Sequence, residues 1–97
     1  MAIAVVMDFA GGTLDQYDEV LKRAQFAAEG AGSPGGLFHW VAATDGGVRI
    51  TDVWESREVA DAFYQDQLGP ITAELGIVEP EVSYFDVHNF LTAGPSA

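Results

Sequence analysis

LFHWVAATDGGVRITDVW, residues 37 to 54, is the stretch that decides the fold. Two runs rich in β-branched and aromatic residues, Leu37 to Thr44 and Val48 to Glu55, flank Asp45-Gly46-Gly47. Asp-Gly between such runs predicts a hairpin, because both central residues of a type I′ turn need positive φ. With Asp45-Gly46 as a two-residue turn, Thr44 pairs with Gly47, Ala43 with Val48 and His39 with Asp52. A turn at Gly46-Gly47 shifts the pairing by one and sets His39 opposite Trp54. Side chains alternate along a strand, so both registers leave Leu37, His39, Val41, Val48, Ile50, Asp52 and Trp54 on one face. A three-residue loop would break this alignment.

Elements on both sides complete the pattern. Ser56 is a natural N-cap, with Glu58 in the first turn and Val59, Ala62, Phe63 and Leu68 on the apolar side. Gly69-Pro70 is expected to break that helix, and Pro70 to open a short turn ending at Gly76. Upstream, residues 2 to 9 read as a buried strand with Ile3, Val5, Met7 and Phe9 on one face. Thr13 and Gln16 form a capping box for a helix carrying Leu14, Tyr17, Leu21, Ala24 and Ala28 at helical spacing. That helix is expected to stop near Gly30, where a Gly- and Pro-rich run begins. A last strand spans about Val82 to Phe90. The order βαββαβ predicts an α+β, ferredoxin-like fold, with residues 1–91 as a single domain and 92–97 as a flexible tail. Helices cover one face of such a sheet; the other, holding Trp40 and Val6, needs a partner.

Composition narrows the function. The chain has 97 residues, four Lys plus Arg and fifteen Asp plus Glu, a formal net charge of −11. Nucleic acid and anionic membranes are poor partners, because neither can be engaged without a basic stripe. No cysteine is present, so thiolate metal sites and cysteine nucleophiles are excluded. The two histidines stand far apart, without HxH or HxxxH spacing, and no metal is expected. The glycine pairs lack P-loop or Rossmann spacing, and no GxSxG occurs. The apolar opening MAIAVVMDFA lacks a basic n-region and contains Asp8, which fits neither a signal peptide nor a membrane span. The expected location is cytoplasmic.

The segment Val53-Trp54-Glu55-Ser56-Arg57-Glu58-Val59-Ala60-Asp61-Ala62-Phe63 resembles the strand-end VWxSxEAFxxF pattern of the antibiotic-biosynthesis-monooxygenase-like branch of the dimeric α/β-barrel superfamily. The resemblance implies a homodimer whose two sheets close into a barrel, with pockets under the helices on the Trp54 face. It also implies cofactor-free oxygenase, polyketide cyclase or haem-degrading activity. Haem-degrading members place a ligand histidine at the positions held here by Phe63 and Tyr64.

His39 and Asp52 are the candidate catalytic residues. A carboxylate opposite an imidazole fixes one tautomer, which suits a general base. The alternative reading is a structural pair whose members satisfy each other near a sheet edge. Trp54, Tyr17, Phe63, Tyr64, Tyr84 and His88 are candidate substrate-binding residues, or else core aromatics and a solvated strand end. The expected function is a small cofactor-independent enzyme acting through His39 on an apolar aromatic or polyketide-like molecule, by oxygenation or cyclisation. The alternatives are a non-catalytic binding or sensing dimer, and a haem binder using His39 or His88.

Overall fold

A computed structural model describes residues 1–96. Ala97, the end of the expected tail, lies outside the described residues. The elements are β1 (Ile3–Ala10), α1 (Leu14–Arg23), β2 (Gly36–Thr44), β3 (Gly47–Trp54), α2 (Arg57–Phe63), α3 (Gly69–Glu74) and β4 (Glu81–Asp86), with a π-helical turn over Tyr64–Leu68 between α2 and α3. The sheet runs β2-β3-β1-β4 and its pairs are antiparallel, which is the ferredoxin-like α+β arrangement. β1 is paired on both sides, and its Val5 is fully buried. Ile3, Val5, Met7, Trp54 and Ala60 form the core, with Phe9, Ile50, Val59, Phe63 and Tyr64 packed against it.

The hairpin has the first of the two registers: Thr44 pairs with Gly47 and His39 with Asp52. Its turn, however, is not type I′, since neither Asp45 nor Gly46 takes a left-handed φ. A tertiary contact braces it instead, as the Gly11 N–H donates to the Gly46 carbonyl at 2.7 Å. Loop length, not turn type, fixes the register. Gly47 is required here, because a Cβ would collide with the Phe9 carbonyl of β1. Leu37 is the extra residue of a bulge between Gly36 and Phe38, so the expected alternation holds from His39 onward but not through Leu37.

Three further expectations are corrected. α1 ends at Arg23 rather than near Gly30, so Ala27 and Ala28 lie outside it. Gln25 takes φ 64°, its N–H donates to Lys22 O at 3.2 Å, and Phe26 N–H reaches Leu21 O at 2.9 Å. These bonds make a Schellman stop with glutamine where glycine is usual. Gly69-Pro70 does not break the second helical run. Pro70 has no N–H to donate, and the chain absorbs it by widening one turn, with Gly69 N–H bonding back to Tyr64 O. Finally, β4 stops at Asp86, which leaves His88 exposed beyond the strand.

The capping expectations hold. Thr13 and Gln16 form the box, and Ser56 accepts from Val59 N–H at 3.2 Å. On the sheet face away from the helices lie the rows Trp40, Thr51, Val6, Ser83 and Phe38, Val53, Ala4, Phe85. Phe38, Trp40 and Phe85 remain 52%, 41% and 57% exposed. No helix among the described residues is long and apolar enough to cross a membrane.

Candidate active site

On the helix-covered face, the register sets Val5, Asp52 and His39 in one row across three strands. Asp52 sits toward the middle of the sheet and is buried; His39 is on the edge strand, with 44% of its side chain exposed. Two elements close over this row. α1 brings Tyr17, whose hydroxyl lies 2.5 Å from His39 Nε2. The π-helical turn brings Tyr64, whose hydroxyl donates to Asp52 Oδ2 at 2.6 Å. Asp52 Oδ1 meets His39 Nδ1, and Trp54 Nε1 donates to the Tyr64 oxygen at 2.9 Å.

Donor and acceptor roles in this chain follow from chemistry alone. An indole N–H can only donate, so the Tyr64 oxygen accepts from Trp54 and spends its proton on Asp52. An ionised carboxylate can only accept, so His39 carries its proton on Nδ1. In the neutral ring Nε2 is then an acceptor, and Tyr17 is its donor. Five side chains from four segments are ordered as two arms that both donate toward Asp52, one from Trp54 through Tyr64 and the other from Tyr17 through His39. Among the described residues, no buried side-chain nitrogen or oxygen lacks a partner. Two hydrogen bonds to Asp52 offset the cost of burying its charge.

Both phenols resist ionisation. Burial, then the Asp52 charge and the hydrogen bond to it, push Tyr64 up, against a smaller lowering by Trp54. Tyr17 is raised by burial first, then by Asp52 and Asp18. Each therefore acts as a hydroxyl donor at neutral pH. Around the chain, Trp54 packs 5.0 Å from Phe63 and edge-on to Tyr64 at 5.9 Å, while the Tyr17 and His39 rings stack at 5.8 Å.

A cavity of about 680 Å³ lies beside this row, between α1, the segment from Phe26 to Ser33 and the sheet. Tyr17, His39, Asp52, Trp54 and Phe63 line it together with Phe26. Its size is typical of small-molecule sites, which are mostly apolar with a few convergent polar groups. Of the expected binding residues, Tyr17, Trp54 and Phe63 stand on the cavity wall, and Tyr64 stands behind Asp52. Tyr84 is outside the lining, beneath Arg57, whose guanidinium lies 3.5 Å from the ring centre. His88 is outside it as well. The roles of Tyr17 and Tyr64 as hydrogen-bond partners of the His39–Asp52 pair are not readable from the sequence, since their helices reach the pair only through tertiary packing. No group of three or more His, Asp or Glu suited to a metal occurs among the described residues.

No family model matches the sequence, and no curated protein matches it. Solved structures do. A proposed antibiotic biosynthesis monooxygenase from Chloroflexus aurantiacus J-10-fl superposes with a TM-score of 0.69 at 18% identity, covering 97% of this chain and all of the other. SnoaB, a cofactor-independent oxygenase from Streptomyces nogalater, gives 0.59 at 20% identity over 95% of this chain and 97% of its own. A proposed antibiotic biosynthesis monooxygenase from Deinococcus radiodurans gives 0.57 at 12% identity over 98% of this chain and 100% of its own. At these identities the likeness shows the fold, which is that of antibiotic biosynthesis monooxygenase-like proteins.

Proposed function

We propose that the protein is a small cofactor-independent enzyme, monooxygenase-like or cyclase-like, that removes a proton next to a carbonyl in an apolar aromatic or polyketide-like molecule. The observation that carries this reading is the chain Tyr17–His39–Asp52–Tyr64–Trp54, whose two arms converge on Asp52 and which opens onto an apolar cavity. Tyr17 occupies Nε2, so the base reaches substrate through the Tyr17 hydroxyl. The substrate proton passes to the Tyr17 oxygen as the Tyr17 proton passes to Nε2. The products of the step are a carbanion, a neutral tyrosine and an imidazolium held by the Asp52 carboxylate. With dioxygen as co-substrate, the carbanion leads to oxygenation; with a carbonyl of the same molecule as electrophile, it leads to ring closure. Trp54, Phe63 and Phe26 supply the apolar wall. The haem reading finds little support, because both His39 nitrogens are engaged and His88 lies outside the cavity.

The same reading includes a homodimer through the open sheet face, supported by the exposed aromatic rings of Phe38, Trp40 and Phe85 on it, since exposed apolar surface of this kind marks interaction sites. The test is oxygen uptake and product mass with a panel of aromatic ketones and polyketide-like polyphenols, wild type against His39→Ala. Turnover that is lost in the variant, with the fold and ligand affinity retained, is the expected result. Ligand binding without turnover in the wild type would instead identify a binding module.

A further inference from the structure

We infer that the cavity selects against negatively charged ligands. This rests on reading the cavity as the ligand site and adds the charge class of what enters it. The chain has four basic side chains, Lys22, Arg23, Arg49 and Arg57, and none of them lines the cavity. The three arginines are committed elsewhere. Arg23 pairs with Glu74 at 3.2 Å, Arg49 with Asp8 at 2.7 Å, and Arg57 with Asp61 at 3.2 Å. Lys22 is exposed in the last turn of α1.

Negative groups do line the cavity: Asp18, Glu29 and Asp52. His39 is the one lining side chain able to become positive, and Asp52 already faces its Nδ1. The start of α1 also reaches the wall, and free N–H groups at a helix start attract anions. There the capping box intervenes: the Thr13 hydroxyl accepts from Gln16 N–H and the Gln16 side chain accepts from Thr13 N–H, both at 3.1 Å. Asp15 adds a negative charge to the same turn. The net charge of −11 extends the repulsion beyond the site, because a summed field of one sign lowers the local concentration of like-charged ligands. Carboxylate- or phosphate-bearing molecules are therefore excluded, while neutral ketones, phenols and quinones, and cations, are admitted.

Three naphthalene probes of similar shape provide the test: neutral 2-acetylnaphthalene, anionic 2-naphthoate and cationic 2-(aminomethyl)naphthalene. Binding is measured by calorimetry at low and high salt, with NMR shifts of His39 and Trp54 locating each probe. The ketone should bind at the cavity. The ammonium should bind at least about tenfold tighter than the carboxylate, and the gap should shrink in high salt as screening grows. Asp18→Lys, at the rim and outside the proton relay, should narrow it further. A carboxylate that binds as tightly as the ammonium overturns the inference while leaving the cavity reading intact. Failure of all three probes to shift His39 or Trp54 overturns the cavity reading, and the inference with it.

Discussion

Removing one oxygen atom, in Tyr64→Phe, should cost more stability than any surface change in this protein. The Tyr64 hydroxyl ties Trp54 Nε1 to Asp52 Oδ2, at 2.9 and 2.6 Å, in a part-buried setting. Phenylalanine keeps the ring and its packing against Phe63 but leaves an indole N–H without a partner and a buried carboxylate oxygen with one bond fewer. An unsatisfied buried donor costs about 1–3 kcal/mol, and a hydrogen bond to a charged group is worth about 1.5–3 kcal/mol. Some relaxation is expected, so the total should be about 2–4 kcal/mol, a large share of the ~5–15 kcal/mol typical of a domain. Urea unfolding followed by tryptophan fluorescence, at fixed protein concentration, reads this as a lower midpoint with unchanged slope. Tyr84→Phe is the control, because no hydrogen bond to its hydroxyl occurs among the described residues, and its effect should stay within about 0.5 kcal/mol. A Tyr64→Phe loss no larger than the control's would refute the chain of hydrogen bonds.

Other perturbations have signs fixed by the same geometry. Because the folded Tyr64 phenol ionises above the ordinary tyrosine value of about 10, its contribution is fully present below that pH and lost as pH rises beyond it; alkaline unfolding should be steeper in wild type than in Tyr64→Phe. The Arg49 hydrogen bond holds Asp8 below the usual carboxylate range, so that pair stabilises above about pH 4 and fades as pH falls; Arg49→Gln should flatten the acid limb slightly, the pair being exposed. Gln25→Gly should raise stability by up to about 1 kcal/mol in thermal unfolding, by relieving a left-handed glutamine at the end of α1. Gly35→Ala should destabilise by more than about 1 kcal/mol, since Gly35 has φ 85° and its Cβ would stand 2.5 Å from Val59 Cγ1.

What the sequence reveals and what it conceals follow a physical divide. Period-two alternation and a short Asp-Gly loop encode the shared face of His39 and Asp52 and narrow the register to two choices in residues 37 to 54 alone, while the structure selects the one that pairs His39 with Asp52. The same is true of Thr13 and Ser56, whose caps involve neighbours three residues away. Contacts between elements are hidden. The Gly11–Gly46 hydrogen bond replaces the expected turn type, and Tyr17 and Tyr64 reach the pair only because α1 and the π-helical turn settle over it. The end of α1 is concealed for another reason: Ala24, Ala27 and Ala28 are strong helix formers, yet Gln25 closes the helix at a position where glycine is the usual signal. Pro70 misleads because one widened turn absorbs a residue that ordinarily ends a helix.

The central claim, a Tyr17–His39–Asp52 relay ordered toward Asp52 that leaves His39 Nε2 as the accepting nitrogen, is open to a single direct reading. Long-range ¹H–¹⁵N NMR on ¹⁵N-labelled protein, at a pH where the His39 ring is neutral, reports which nitrogen carries the proton. The relay predicts a protonated Nδ1 and a bare Nε2, the reverse of the tautomer favoured by free histidine. It also predicts that the preference weakens in Asp52→Asn. A His39 ring protonated at Nε2, or exchanging freely between the two forms, would contradict the account, since Tyr17 could then not donate to it and no proton could pass along the chain as described.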